Sequence, residues 1–347
     1  VGGDGRNNQI YMATWIAKQN IEKSLDHVTF YAIEEPEAHL HPHQQRKLAQ
    51  FLVDSFSEQV FITTHSAQIA SSFTPERIVR IYTKGKISHV AQGGCSKNVQ
   101  LTFDDFGYRL NAITAETFFA DGILLVEGPS EVLFYTGLST YLGIDLDHLN
   151  ITILSVDGVG FKPYVKICKA LEIPYVLRTD NDIFCKSRKI SGKRGKRSFK
   201  YYAGVSRLIG IFQEIISSDS ENELNAYWTS YSYLNEWDAS SDVPAESVTF
   251  NSRIREKSDK YNLFLAKRNL EEDLADSNLV TALKKFYNCN TRDSLVTKMQ
   301  ERKAENMLAF LKHQGKKLSV LSDDDISVPL KRIAHLVEKE VHPSAST

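Results

Sequence analysis

Cysteine is sparse and unpatterned in this sequence. Cys95, Cys168, Cys185 and Cys289 form no CxxC pair, which argues against a zinc ribbon or a disulfide framework. Reduced thiols in the cytoplasm are the expectation. No apolar run approaches the roughly 20 residues needed to span a bilayer, and no signal peptide is visible, so no membrane partner is expected. Neither sign of charge dominates, with 42 Lys and Arg against 43 Asp and Glu in 347 residues. At 42% hydrophobic and 24% charged residues, the composition is that of a folded chain and not of a disordered one. The length suffices for two domains, each burying its own core. Also absent is G-x-x-x-x-G-K-[ST], the loop whose backbone cradles nucleotide phosphates. Val1 is not a start methionine, and the Gly-rich stretch 1–9 opens directly onto a helical pattern. The expectation is the later part of a longer polypeptide.

What the sequence does have is alternation of strand and helix. VTFYAI (28–33) and QVFIT (59–63) read as buried strands, short and rich in β-branched and aromatic residues, with a helix over 43–56 between them. Runs 77–82 and 86–91 flank Gly85 as a hairpin, followed by a polar stretch and a helical connector to about residue 119. From 122 the pattern is strand 122–127, helix 130–142, strand 150–156, helix 161–171, strand 174–180, the mark of a parallel sheet with crossover helices. The rest reads as helical apart from one strand near 261–266. These patterns divide the chain into 1–112, 113–278 and a helical region 279–347.

Two acidic constellations stand at expected strand ends. Glu34-Glu35 closes the first strand; one acid of such a pair can hold Mg²⁺ through water, and the next can orient a water toward a γ-phosphate. Thr63-Thr64-His65-Ser66 closes the second strand at the same edge. His39, His41 and His43 alternate, but they fall where the strand leads into the next helix, so a metal site is not expected there. Further on, Glu127 ends a strand with Glu131 four residues later, and Asp180-Asn181-Asp182 ends another. In a parallel sheet these carboxylates converge at one edge. They repel unless cations sit among them, and all-oxygen donors favour Mg²⁺ or Mn²⁺ over zinc. The segment 186–200 follows at once with eight Lys and Arg and no acid, leaving a net charge of −9 elsewhere. It reads as a phosphate-binding loop that includes Lys193, Arg194, Lys196 and Arg197.

The motifs in 28–66 resemble the late motifs of ATP-binding-cassette ATPases of the RecF/SMC type. That resemblance implies Glu34 as the Mg²⁺-holding acid in place of the commoner aspartate, Glu35 as catalytic base and His65 as switch histidine. It also implies Gly3 and Gly5 of GGDG as the signature loop that clamps a γ-phosphate from the opposite subunit. LLVEGPSE, DGVG and RTDND resemble the Toprim domain of topoisomerases, primases and nucleases. Together the two halves resemble the OLD-family nucleases, and within them the Gabija-type nucleases of antiphage defence. Those share the EEPE strand end, THS, LLxEGPSE, TDND with a Lys-rich sequel, and a later E-x-D-L, here Glu271-Glu272-Asp273-Leu274. By the same resemblance QERKAENM (300–307) supplies Lys303 as a lysine assisting cleavage.

The implied fold is α/β: the C-terminal part of an ABC-type ATPase domain, then a Toprim domain, then a helical C-terminal region. The implied activity is ATP-regulated DNA cleavage with two Mg²⁺ or Mn²⁺ ions. Glu127, Asp180 and Asp182 would hold one ion or bridge the pair, with Glu131 and Glu271 completing the second site and Asp273 as a further metal ligand. Implied partners are DNA, a second copy of the chain in a dimer or larger assembly, and a helicase-like or other defence protein. Two rival readings are a topoisomerase- or primase-like Toprim enzyme and a non-catalytic SMC-like DNA clamp. The clamp leaves the acids at the strand ends unexplained.

Overall fold

The computed structural model describes every residue except 1–3, 22–27, 29, 57–58, 75–76, 92–114, 158–159, 190–195 and 342–347. The chain divides into two units, Val1–Ile81 with Val90–Phe119, and Tyr82–His89 with Ala120–Thr347.

In the first unit α1 spans Asp4–Ile21, β1 Phe30–Glu34, α2 Pro42–Ser55 and β2 Gln59–Thr63. Residues 4–9 therefore lie within a helix, correcting the expected loop; Gly5 is inside α1 and Gly3 lies outside the described residues. β1 and β2 pair in parallel, Phe30 opposite Gln59 and Glu34 opposite Thr63. Neither is the fully buried strand expected. Tyr31 and Ile33 point into the core, whereas Phe30 and Phe61 are exposed. α2 begins at Pro42, whose missing N–H costs nothing in a first turn. His41 N donates to Gln44 Oε1 at 3.2 Å, so His41 serves the helix start. Leu48, Ala49 and Leu52 form its buried stripe, packed with Ile16, Ile33, Leu40 and Ile69.

A β-hairpin, β3 (Ile81–Lys84) and β4 (Ile87–Val90), turns at Gly85. The second unit then runs β5 (Gly122–Val126), α3 (Pro129–Leu142), β6 (Ile151–Ser155), α4 (Phe161–Ala170) and β7 (Tyr175–Thr179). Much later comes β8 (Leu263–Leu265), and the sheet order is β8-β7-β5-β6, all parallel. β5 is buried along its whole length, as its unbroken apolar run requires of a central parallel strand. A Cβ at Gly122 would come within 2.5 Å of Val337 Cγ2, so the glycine admits the C-terminal helix α5 (Val328–Val341) against the sheet. Leu283, Leu295, Phe310, Leu318, Leu330 and Ile333 share one core with Leu124, Val126 and Phe134.

Where it is described, the basic segment is strand and not loop. Ile183–Lys189 and Lys196–Tyr202 form an antiparallel ribbon, and Glu236–Asp238 adds a third strand beside the latter. Residues 190–195, with Lys193 and Arg194, lie outside the described residues.

Candidate active site

β5 leads through α3 to β6 on one side, while β7 pairs on the other, so the chain reverses direction across the sheet between β5 and β7. Ligands sit in open α/β sheets outside the carboxyl ends at such a point. Glu127 follows β5 and Asp180 follows β7. Because β8 lies parallel beside β7, it brings the helix Leu270–Ala275, with Glu271 and Asp273, to the same edge. Lys303, the first residue of the helix Lys303–Gln314, places Nζ 3.1 Å from Glu271 Oε2. Burial opposes the charge on Lys303. Glu271 outweighs it, with Asp180 and Asp182 contributing, and the ammonium is held above its ordinary pKa.

The side chains do not form one open cluster of acids. Arg178, 2% exposed, donates to Glu131 Oε1, to Asp273 Oδ2 at 2.8 Å and to Asp180 Oδ1 at 3.5 Å. Arg207 pairs with Glu127, whose Oε1 also accepts Thr179 Oγ1 at 2.6 Å and Asp180 N at 2.9 Å. Protein cations thus occupy much of the negative field that spacing alone left uncompensated. Among the described residues no three His, Cys, Asp or Glu side chains stand as a ready-made metal cage. In donor chemistry the residues still suit a hard divalent cation, since every available ligand is a carboxylate oxygen. Asp180 is pushed up to about 8 by burial and then by Glu131, against Arg178. Its ionised form calls for more positive charge than the guanidinium supplies.

In the first unit Glu34 is exposed at the end of β1, and Glu35 follows with φ 40°, its N–H bonded to Thr63 O at 3.0 Å. His65 Nε2 lies 3.3 Å from Glu35 Oε1, both side chains open to solvent. Glu37 organises the facing turn, its Oε1 accepting Thr64 Oγ1 at 2.6 Å and His65 N at 2.8 Å.

On the basic ribbon, Lys186 and Arg188 pair with Glu236, and Arg197 pairs with Asp238. Lys189 and Lys196 face each other across the strands and carry no ion pair among the described residues. Arg188 lies 4.4 Å over the Phe199 ring and Lys186 4.5 Å over Tyr201.

Two protein-family models match this chain: an AAA ATPase domain over residues 3–70, and an "Overcoming lysogenization defect protein-like, TOPRIM domain" over residues 118–182. "Endonuclease GajA" of Bacillus cereus is 27% identical over 215 residues, 60% of this chain and 34% of that protein. "OLD nuclease" of Thermus scotoductus is 33% identical over 162 residues, 44% of this chain and 30% of that protein. The chain is homologous to the OLD-family nucleases. It spans about a third of the length of the relatives it matches. The C-terminal region of the Xanthomonas campestris pv. campestris OLD protein superposes loosely, at TM-score 0.36 and 21% identity, over 65% of this chain and 97% of that one.

In this OLD-family homologue sequence reasoning overlooked Arg178 and Arg207, and gave Glu37 of EEPE no role of its own. Arg178 did leave a signal. It is a charge inside a strand that otherwise reads as buried, two residues before Asp180 and so on the same face. Arg207 left none, because its pairing with Glu127 spans 80 residues.

Proposed function

We propose that this OLD-family chain is part of an ATP-regulated, divalent-metal-dependent DNA endonuclease of antiphage defence. One observation carries the reading. At the β5/β7 crossing Glu127 Oε2, Asp180 Oδ2 and both Asp182 carboxylate oxygens accept no hydrogen bond among the described residues, beside the Glu271–Lys303 pair. Glu127, Asp180 and Asp182 would hold the metal, with Glu271 beside them. Two Mg²⁺ or Mn²⁺ ions would supply an activated water and charge to offset the leaving oxygen. Arg207 and Thr179 fix the Glu127 carboxylate, so it presents one constant oxygen to the site. Lys303, held by Glu271, offsets charge that develops on the phosphate. The ribbon carrying Lys196 and Arg197 continues directly from Asp182 and would track the DNA backbone without reading bases.

The first-unit residues Glu34, Glu35 and His65 would serve ATP in the full-length protein, whose copies assemble as a dimer or larger and work with a further defence protein. Among the described residues no helix is long and apolar enough to cross a membrane.

The test is plasmid cleavage by the full-length protein with Mg²⁺ or Mn²⁺, with and without ATP. Asp180→Ala should abolish cleavage and leave the circular-dichroism spectrum unchanged. Cutting at the wild-type rate by a folded Asp180→Ala protein would overturn the assignment.

A further inference from the structure

Two of the six acids at the sheet edge already have both carboxylate oxygens engaged. Glu131 is the third residue of α3, and its Oε2 accepts the N–H groups of Glu127 at 2.8 Å and Gly128 at 3.1 Å. It thereby satisfies donors at a helix start, as the far acid of a capping box does. Its Oε1 takes Arg178. Asp273 Oδ1 accepts Lys267 N at 3.2 Å, and its Oδ2 takes the other arm of Arg178 at 2.8 Å. The guanidinium is planar, always charged and able to donate along two directions at once. Here it uses that fork to tie α3 to the helix Leu270–Ala275, with Asp180 at the margin of the same group.

We propose that Arg178 is a positioning residue and a built-in counter-ion. It withdraws Glu131 and Asp273 from the cation-binding set and leaves Glu127, Asp180 and Asp182 to form it. Only the naming of that remaining set rests on the nuclease reading; the assignment of Arg178, Glu131 and Asp273 does not. Lysine at this position keeps the charge, whereas alanine leaves a buried carboxylate, Glu131, and a partly buried one, Asp273, with no counter-ion between them. A small divalent cation is the replacement their all-oxygen chemistry favours.

The experiment is a calorimetric titration of Mn²⁺, without nucleotide, into the full-length protein and its variants, with thermal melts alongside. Glu131→Gln and Asp273→Asn should bind as many ions as the wild type, while melting earlier. Arg178→Ala should bind one ion more per chain than the wild type, with a larger Mn²⁺-dependent rise in Tm. Arg178→Lys should keep the wild-type count. Loss of an ion in Glu131→Gln or Asp273→Asn overturns the proposal, as does an unchanged count in a folded Arg178→Ala protein. If Arg178→Ala does not fold, the two acid variants decide. A wild type that binds no Mn²⁺, beside an Arg178→Ala protein that binds one, supports the counter-ion and removes the metal-dependent nuclease reading.

Discussion

The turn that carries Asp180 and Asp182 is held from behind by a glycine. Gly204 is the second residue of the helix Ala203–Ile211, and a Cβ there would lie 2.1 Å from Asp180 O and 2.8 Å from Asn181 Cα. Ordinary contact begins near 3.4 Å, so in Gly204→Ala the helix or the turn must move by about 1.3 Å. Neither side can yield by a rotamer change, because the obstructing atoms are backbone. Ala203 N on Asp182 O at 2.9 Å and Val205 N on Asn181 Oδ1 at 3.3 Å tie the same two segments together. Alanine in place of glycine inside a helix gains about 1 kcal/mol, and overpacking costs about 1–3 kcal/mol. The net expectation is a loss of up to about 2 kcal/mol, a fall in Tm of up to ~8 °C. Displacing a reacting constellation by about 1 Å costs on the order of 100-fold in rate. Gly210→Ala is the internal control. Its Cβ would meet only Lys162 side-chain atoms at 3.9 Å, so it should be neutral or slightly stabilising. Thermal melts and plasmid cleavage of both variants test the argument. A Gly204→Ala protein that melts and cuts like the wild type would refute the claim that this contact sets the position of the acidic turn.

In the full-length protein Glu35→Gln should retain ATP and lower its hydrolysis by at least about 100-fold, because the water-orienting carboxylate is gone. Hydrolysis at the wild-type rate would mean that another group is the base. Replacing Lys193, Arg194, Lys196 and Arg197 with Ser should weaken DNA binding alike on unrelated sequences. The log–log salt slope should become shallower by up to about 0.9 for each phosphate no longer neutralised, with Arg197 contributing less than Lys196 because it starts out paired with Asp238. An unchanged slope places the DNA path elsewhere.

Local patterns carried the sheet edge. The strand-helix alternation over 122–180 announced three parallel strands, and the acids that close them fell where the topology gathers them. The fourth strand was visible as YNLFLA, but its place beside β7 was not, since strand order is a long-range property. The ribbon of Ile183–Lys189 and Lys196–Tyr202 escaped notice for a different reason. It has no apolar face of period two; cation–π stacking on Phe199 and Tyr201 and ion pairs to Glu236 and Asp238 accompany its backbone pairing, and 33 residues separate Tyr202 from Glu236. At the site itself, carboxylates could be read from strand ends, whereas the cations that partner them come from anywhere in the chain. Spacing therefore overstated how bare the negative cluster is.

The position of β8 has a bearing on how the molecule is made. Synthesis delivers β5, β6 and β7 within one short stretch, and 83 residues must follow before β8 can dock on β7. Until then the outer edge of Tyr175–Thr179 presents unpaired N–H and C=O groups along an apolar strand, a template for pairing with another chain. Glu271 and Lys303 are made later still. A nascent or truncated chain ending before residue 263 is thus both sticky and chemically incomplete. The last acid and the lysine follow the strand that covers this edge, so the site reaches its full complement only on chains whose sheet can already be closed there.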